Sequence, residues 1–190
     1  TILEQPNFGD RNVCGDNLIW AFKDGVLTIS GTGEMYDAGD YDLWADHRSD
    51  ITKVVIESGV TTISHWAFTY CTALTDVTIP ETVVSIDPLA FSMCTSLKTI
   101  VIPDSVTGIG YNAFDGCSSL TSIVISDGVN SIGNHAFAHS GSLSSIDLPD
   151  SLTSIGQYAF TGCNTLESIN LSGATSFGQY AFSDCYYLKS

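Results

Sequence analysis

The pair Ala-Phe recurs every 23 residues, at Ala67-Phe68, Ala90-Phe91, Ala113-Phe114, Ala136-Phe137 and Ala159-Phe160, and returns one residue early at Ala181-Phe182. A fixed period of this length is the signature of a solenoid, in which each repeat is a short unit that buries its apolar face only against its neighbours. The chain is thereby constrained to stack coils.

Each pair sits in a longer frame, Leu-x-x-apolar-x-apolar-Pro-x-x-apolar-x-x-Ile-Gly-x-x-Ala-Phe-x-x-Cys, best seen from Leu97 through Val106 and Ile109-Gly110 to Cys117. Six coils follow, starting near Ile51, Leu74, Leu97, Leu120, Leu143 and Leu166. The alternation Leu97-Ile100-Ile102, repeated as Leu120-Ile123-Ile125 and Leu143-Ile146-Leu148, predicts a short strand buried on one face. About twenty residues between strands suits parallel crossovers, so the strands should form one parallel sheet spaced by roughly 4.8 Å.

Pro80, Pro103 and Pro149 follow the strand, with Ser126 and Ser172 in their place in two coils. Proline donates no hydrogen bond, so it ends pairing and turns the chain toward the opposite wall. The next apolar pair, Val83 and Ile86, Val106 and Ile109, Val129 and Ile132, Leu152 and Ile155, then Ala174 and Phe177, has the spacing of one helical turn or a tight bend facing inward. Gly110, Gly133, Gly156 and Gly178 then read as a sharp corner. Ala and Phe fill the far side of the core, each Phe stabilising by roughly 1.5 to 3 kcal/mol if fully buried.

These residues resemble the BspA-like, Treponema pallidum-type class of leucine-rich repeats, whose pattern is matched from about Ile51 to Cys185. Thr82, Ser105, Gly128 and Ser151 stand where ordinary leucine-rich repeats place an Asn ladder. The expected fold is an α/β repeat solenoid: a right-handed leucine-rich-repeat superhelix with a parallel β-sheet on one face and an N-terminal β-hairpin cap. Residues 1–50 are the expected capping region and 51–190 the coils. The run from Cys14 to Tyr36 is similar to the leader that precedes such repeats in bacterial surface proteins.

Two alternating runs, Leu18 to Phe22 and Val26 to Ile29, flank Lys23-Asp24-Gly25, a hairpin signal that would cover the first coil. At the other end Phe177, Phe182 and Leu188 lie beside an unpaired strand near Ser168 to Leu171. Such an edge predicts either a longer parent protein or end-to-end self-association through an uncapped C-terminal coil.

With 21 acids against 6 bases, a net charge of −15 and a pI near 4.1, the chain has no basic stripe for nucleic acid and is disfavoured on anionic membranes. The charge is spread: residues 1–50 carry 10 acids and 3 bases, residues 51–190 carry 11 acids and 3 bases. No run is apolar enough for membrane insertion or a signal peptide, although a removed signal would leave a mature start such as Thr1. Secretion or a bacterial cell-surface location is what the resemblance implies.

Cys71, Cys94, Cys117, Cys163 and Cys185 occupy one repeat position, with Ser140 at the sixth. An odd set in which Ser substitutes reads as buried free thiols behaving as small hydrophobes, not disulfides.

Candidate chemistry is sparse. His135 and His139 have the spacing of two helix-borne metal ligands, but a third ligand is missing and ordinary surface histidines are the better reading. Asp37, Asp40, Asp42 and Asp46 crowd the segment between cap and coils, but not at the spacing of an EF-hand calcium loop. Gly31-Thr32-Gly33 lacks the downstream residues of a phosphate loop and reads as a turn. Glu81, Asp104, Asp127 and Asp150 form an acidic row that reads as turn closure through nearby backbone amides, or as a site for a cation or basic partner. With no catalytic constellation in the chain, the expectation is a non-enzyme without cofactor or metal.

Between the buried strand positions, Lys53, Asp76, Thr99, Ser122, Ser145 and Ser168 should point outward as one row, and Val55, Thr78, Val101, Val124, Asp147 and Asn170 as the next. The candidate ligand-binding face is Thr78, Thr99, Val101, Ser122, Val124, Asp147 and Asn170. The resemblance implies an extracellular module adhering to a host matrix or serum protein. The alternative is a structural spacer displaying other domains, and an enzyme or carbohydrate-binding unit is weaker because the sheet face lacks aromatic platforms.

Overall fold

The computed structural model describes residues 12–39 and 43–189. The coils stack into a β-solenoid of about six turns, with a front wall of parallel strands, a back wall of parallel strands, and a third wall made of the Ala-Phe turns.

The front wall contains Lys53–Ile56, Asp76–Thr78, Thr99–Ile102, Ser122–Ile125, Ser145–Ile146 and Ser168–Ile169. They form parallel ladders in the register that the 23-residue period requires, Lys53 opposite Asp76, Thr99 opposite Ser122 and Ser145 opposite Ser168. A bridge joins Val124 to Asp147 across the fourth and fifth coils. Leu18–Lys23 and Val26–Gly31 form the antiparallel hairpin, and Val26–Gly31 then pairs in parallel with Lys53–Ile56, so the hairpin extends the front sheet.

The expected helical element is not there, and the α/β description is corrected to an all-β one: among the described residues the helical structure is a single 3-10 turn, Ala45–His47. The apolar pair spaced three apart is instead a turn followed by a strand. The Val106 N–H donates to the Pro103 carbonyl at 3.2 Å, and Ile109 then pairs with Ile86 and Ile132 in a second parallel sheet. This back sheet runs through Gly33–Glu34, Val60–Ile63, Ser85–Ile86, Gly108–Ile109, Ser131–Ile132, Ser154–Ile155 and Ser176–Phe177. A coil of 23 residues that must cross three walls has no room for a helix, so its backbone groups find partners in neighbouring coils.

The glycine reading also changes. Gly133 and Gly156, which recur at one repeat position, are required by close approach rather than by backbone conformation. A Cβ on Gly133 would lie 2.8 Å from the Gly110 carbonyl carbon, and one on Gly156 would lie 2.5 Å from the Asn134 nitrogen. The left-handed backbone falls on other residues: Trp66, Leu89, Asn112, His135, Tyr158 and Tyr180 have φ between 54° and 63°. Each costs about 1–2 kcal/mol relative to ordinary backbone. The third wall offsets that cost with a ladder of its own: Asn112, Phe114 and Gly116 donate N–H to the Asn134, Ala136 and Ala138 carbonyls at 2.8–3.0 Å, and the same pattern recurs in every coil pair.

Phe68, Phe91, Phe114, Phe137 and Phe160 are fully buried and stack with Phe182 at centroid spacings of 5.2–5.4 Å. Trp44 extends the stack beyond Phe68 at 5.3 Å and 10°. Arrayed rings of this kind contribute about 0.5–1.5 kcal/mol per pair beyond area burial.

Candidate functional site

The repeat position Cys is a packing and hydrogen-bonding device. All six thiols are free, and those of Cys94, Cys117, Cys163 and Cys185 lie 3.1–3.3 Å from the carbonyl oxygen of the Phe one coil earlier, toward which each donates. The Ser140 hydroxyl makes the same bond to the Phe114 carbonyl at 3.2 Å, which explains why Ser fits this position. Burial pushes the Cys117 and Cys163 thiols, and that of Cys14, up to about 12. They are held as neutral thiols and lack the thiolate that nucleophilic or redox chemistry needs.

The hydroxyl positions that stand in for an Asn ladder also bond across coils. Thr82, Ser105 and Ser151 donate to the Val60, Val83 and Val129 carbonyls at 2.5–2.8 Å. The turns after the front strands are closed by backbone N–H groups bonding to the carbonyl of Pro80, Pro103, Ser126 or Pro149. In the acidic row, Asp150 accepts from the Ser172 hydroxyl at 2.7 Å.

His139 lies 2.9 Å from Asp115, and His135 stacks on Tyr158 with centroids 5.0 Å apart. Asp37 accepts from the Gly39 N–H at 2.9 Å, while Asp40 and Asp42 lie outside the described residues. Among the described residues no three His, Cys, Asp or Glu side chains are grouped to hold a metal ion. Gly31 ends one strand and Gly33 begins another, so Gly31-Thr32-Gly33 carries the chain from the front sheet to the back.

The front face is where side chains of varied chemistry converge. Thr78, Thr99, Val101, Ser122, Val124, Asp147 and Asn170 are all exposed. The ladder sets Val101 directly beside Val124 and Val124 beside Asp147, and the two valines are 58% and 52% exposed although their strand neighbours Ile100, Ile102, Ile123 and Ile125 are buried. Beside them lies an open concavity of about 620 Å³ lined by Ser122, Val124, Asp127, Ser145, Asp147, Asp150 and Asn170 among others. Three carboxylates and no basic side chain line it. At the N-terminal side of the same face Lys53 and Asp76 neutralise each other at 2.7 Å.

Sequence reasoning missed Trp44 and Arg48. The Trp44 indole N–H donates to the Ala67 carbonyl at 2.7 Å, and the Arg48 guanidinium donates to the Thr69 carbonyl. A signal was present: Trp44 stands 23 residues before Ala67, one period upstream of the first Ala-Phe pair.

Comparisons with known proteins agree on the fold. The chain is similar to a T. pallidum leucine-rich repeat protein of known structure, with a TM-score of 0.76 and 25% identity over 93% of this chain and 90% of that one. It is also similar in fold to a leucine-rich repeat protein from Bacteroides ovatus (TM-score 0.59, 24% identity, 90% of this chain) and a leucine rich cell surface protein from Faecalibacterium prausnitzii A2-165 (0.54, 24%, 86%). This chain spans only 56% and 54% of the length of those two. No curated protein matches. Among the described residues no helix is long and apolar enough to cross a membrane. The model of the BspA type leucine rich repeat region matches residues 45–143 and 84–190 in six copies, and the chain therefore belongs to the BspA-type leucine-rich repeat family.

Proposed function

We propose that this chain is a non-enzymatic protein-binding module of a bacterial surface or secreted protein, and that its partner docks on the front face over coils 3 to 6. The observation that carries this is the adjacent exposed pair Val101 and Val124 beside a concavity lined by three carboxylates and no basic side chain. Exposed apolar side chains rimmed by polar ones favour macromolecular contact. The charge of the concavity favours a partner that presents an apolar side chain flanked by Lys or Arg. A host matrix or serum protein fits that chemistry, and the cell-surface location named for the F. prausnitzii neighbour supports export.

In the same reading the winding is right-handed, the hand of nearly all parallel crossovers. Residues 1–50 serve as the capping region and 51–190 as the coils, with the hairpin covering the first coil by its pairing to Lys53–Ile56. The alternative, a structural spacer, is supported by the unbroken ring stack from Trp44 to Phe182, which makes a stiff rod.

Binding of the purified chain to a panel of matrix and serum proteins tests this. Saturable binding that Val124→Arg abolishes, at unchanged melting temperature, supports the front face. Binding that survives Val124→Arg removes that face from consideration, and no binding at all favours the spacer.

A further inference from the structure

The corner where the back wall meets the third wall is a neutral strip on an acidic chain. An open groove of about 520 Å³ runs along it, lined by Gly133, Asn134, Ser154, Gly156 and Gln157 among others, and none of the described residues that line it is charged. The chain carries 21 acids, and three of them line the concavity on the front face.

Three kinds of group meet at this corner, each in register along the solenoid. Ser131 stands opposite Ser154 in the back sheet, so their hydroxyls form one rim with a spacing of roughly 4.8 Å. Asn134 and Gln157, one period apart, form the other rim. The Asn134 Oδ1 accepts from the Gln157 backbone N–H at 2.7 Å, which fixes that amide and leaves the Nδ2 hydrogens for another acceptor. Between the rims Gly133 and Gly156 add no side chain, so the floor is bare peptide that a flat ligand can approach closely. Tyr111 occupies the rim position one period before Asn134 and is 47% exposed. Its ring stands at 81° to His135, outside the face-to-face stack that His135 makes with Tyr158. It is the aromatic platform that the front face lacks.

The chemistry of the strip selects its ligand. Ile132 and Ile155 below the floor are 2% exposed, so they offer no apolar anchor for a protein partner, and a neutral surface steers no charged one. Hydroxyls and primary amides both donate and accept, which matches the hydroxyls of a sugar. Like groups repeated along a straight axis match a polymer of like units.

We propose that this corner binds a neutral glycan, extended along the solenoid axis, with its hydroxyls on Asn134, Gln157, Ser131 and Ser154 and one pyranose face on Tyr111. With no carboxylate among the described residues that line it, the groove holds a glycan without the acid and base that cleave a glycosidic bond. The site is separate from the front face and does not rest on the protein-binding reading.

Affinity gel electrophoresis of the purified chain tests this, in gels containing the neutral polymers xyloglucan, galactomannan or dextran, or the anionic polygalacturonate. At least one neutral polymer should retard the chain, and polygalacturonate should not. Tyr111→Ala and Gln157→Ala should each weaken retardation by about tenfold, through loss of a stacked ring or of amide hydrogen bonds, at unchanged melting temperature. Val124→Arg should leave it unchanged. Free migration through all three neutral polymers overturns the proposal, as does equal retardation of the parent and a Tyr111→Ala, Gln157→Ala double variant. Retardation lost in Val124→Arg alone would move the glycan to the front face and overturn it as well.

Discussion

The first and the last described coils are covered differently. At the N-terminal end the residues before coil 1 supply Trp44 and Arg48, whose side chains satisfy the carbonyls of Ala67 and Thr69 while the indole covers Phe68. At the C-terminal end Phe177, Tyr186 and Tyr187 are exposed, and the donors of the third wall look outward. A parallel stack is polar, so its ends need different finishes: one needs donors and the other acceptors. Side chains such as Trp and Arg offer only donors, which suits the N-terminal end and fails at the other.

Truncating the ring stack should show the largest contrast. Phe114→Ala is expected to cost about 3–5 kcal/mol, and Phe182→Ala about half of that, because part of that ring already faces solvent. Equal losses in thermal melts would mean that the last coil is as well packed as the middle ones. Next comes Trp44, where removal of the ring in Trp44→Ala should cost about 3 kcal/mol. Trp44→Phe keeps a ring but orphans the Ala67 carbonyl, at about 1–3 kcal/mol. If Trp44→Phe melts like the parent, the hydrogen bond contributes nothing to finishing that end.

The glycine row gives a smaller contrast. Gly156→Ala forces a Cβ against the Asn134 backbone between two fixed coils and should cost about 1–3 kcal/mol. Gly178→Ala meets the Gln157 backbone as closely, at 2.2 Å, but coil 6 can move outward and should lose less. Identical melting shifts for the two would show that coil 6 is held as firmly as coil 5.

At neutral pH the thiols give the smallest effect. Cys117→Ser should change stability by less than about 1 kcal/mol, since Ser140 already makes the same bond in its own coil. Alkylation should begin at half-buried Cys185, ahead of Cys117 and Cys163, and mass mapping that finds an inner thiol labelled first would reverse the assignment of the weak end. The folded-state values of Cys14, Cys117 and Cys163 are raised by burial from 9.0 to about 12. Between those limits the folded chain retains protons that the unfolded chain has lost. Stability from this source is therefore full below about pH 9 and declines up to about pH 12, and a flat melting temperature across that window would contradict the burial of the thiols.

Much of this architecture is legible in the chain. The coil boundaries, the front strands, the inward Phe and Cys and the outward rows follow from a period that repeats six times, because equivalent residues in a stack must have equivalent surroundings. The candidate face could be named residue by residue, and every one of those side chains is exposed. The back wall was only half read: the tight bend was one of the two readings of the apolar spacing, but the strand after it was not foreseen, because a spacing of three is shared by a helical turn and by a turn plus strand, and the difference lies in where the hydrogen bonds go. The left-handed residues were missed because Trp66, Leu89 and Tyr158 are not residue types that announce such a backbone.

The sequence by itself determined that the chain is a solenoid, where its core lies and that its thiols are structural, since those properties follow from period and polarity, while the BspA type came from resemblance to a known repeat. Tertiary structure decided the second parallel sheet, the backbone contacts that demand glycine, the role of Trp44 and Arg48, and the one-way direction of the third wall. Those depend on which way peptide groups point between coils. A one-dimensional pattern records side chains, but the orientation of a peptide plane is set only when its hydrogen-bond partner in the next coil is in place.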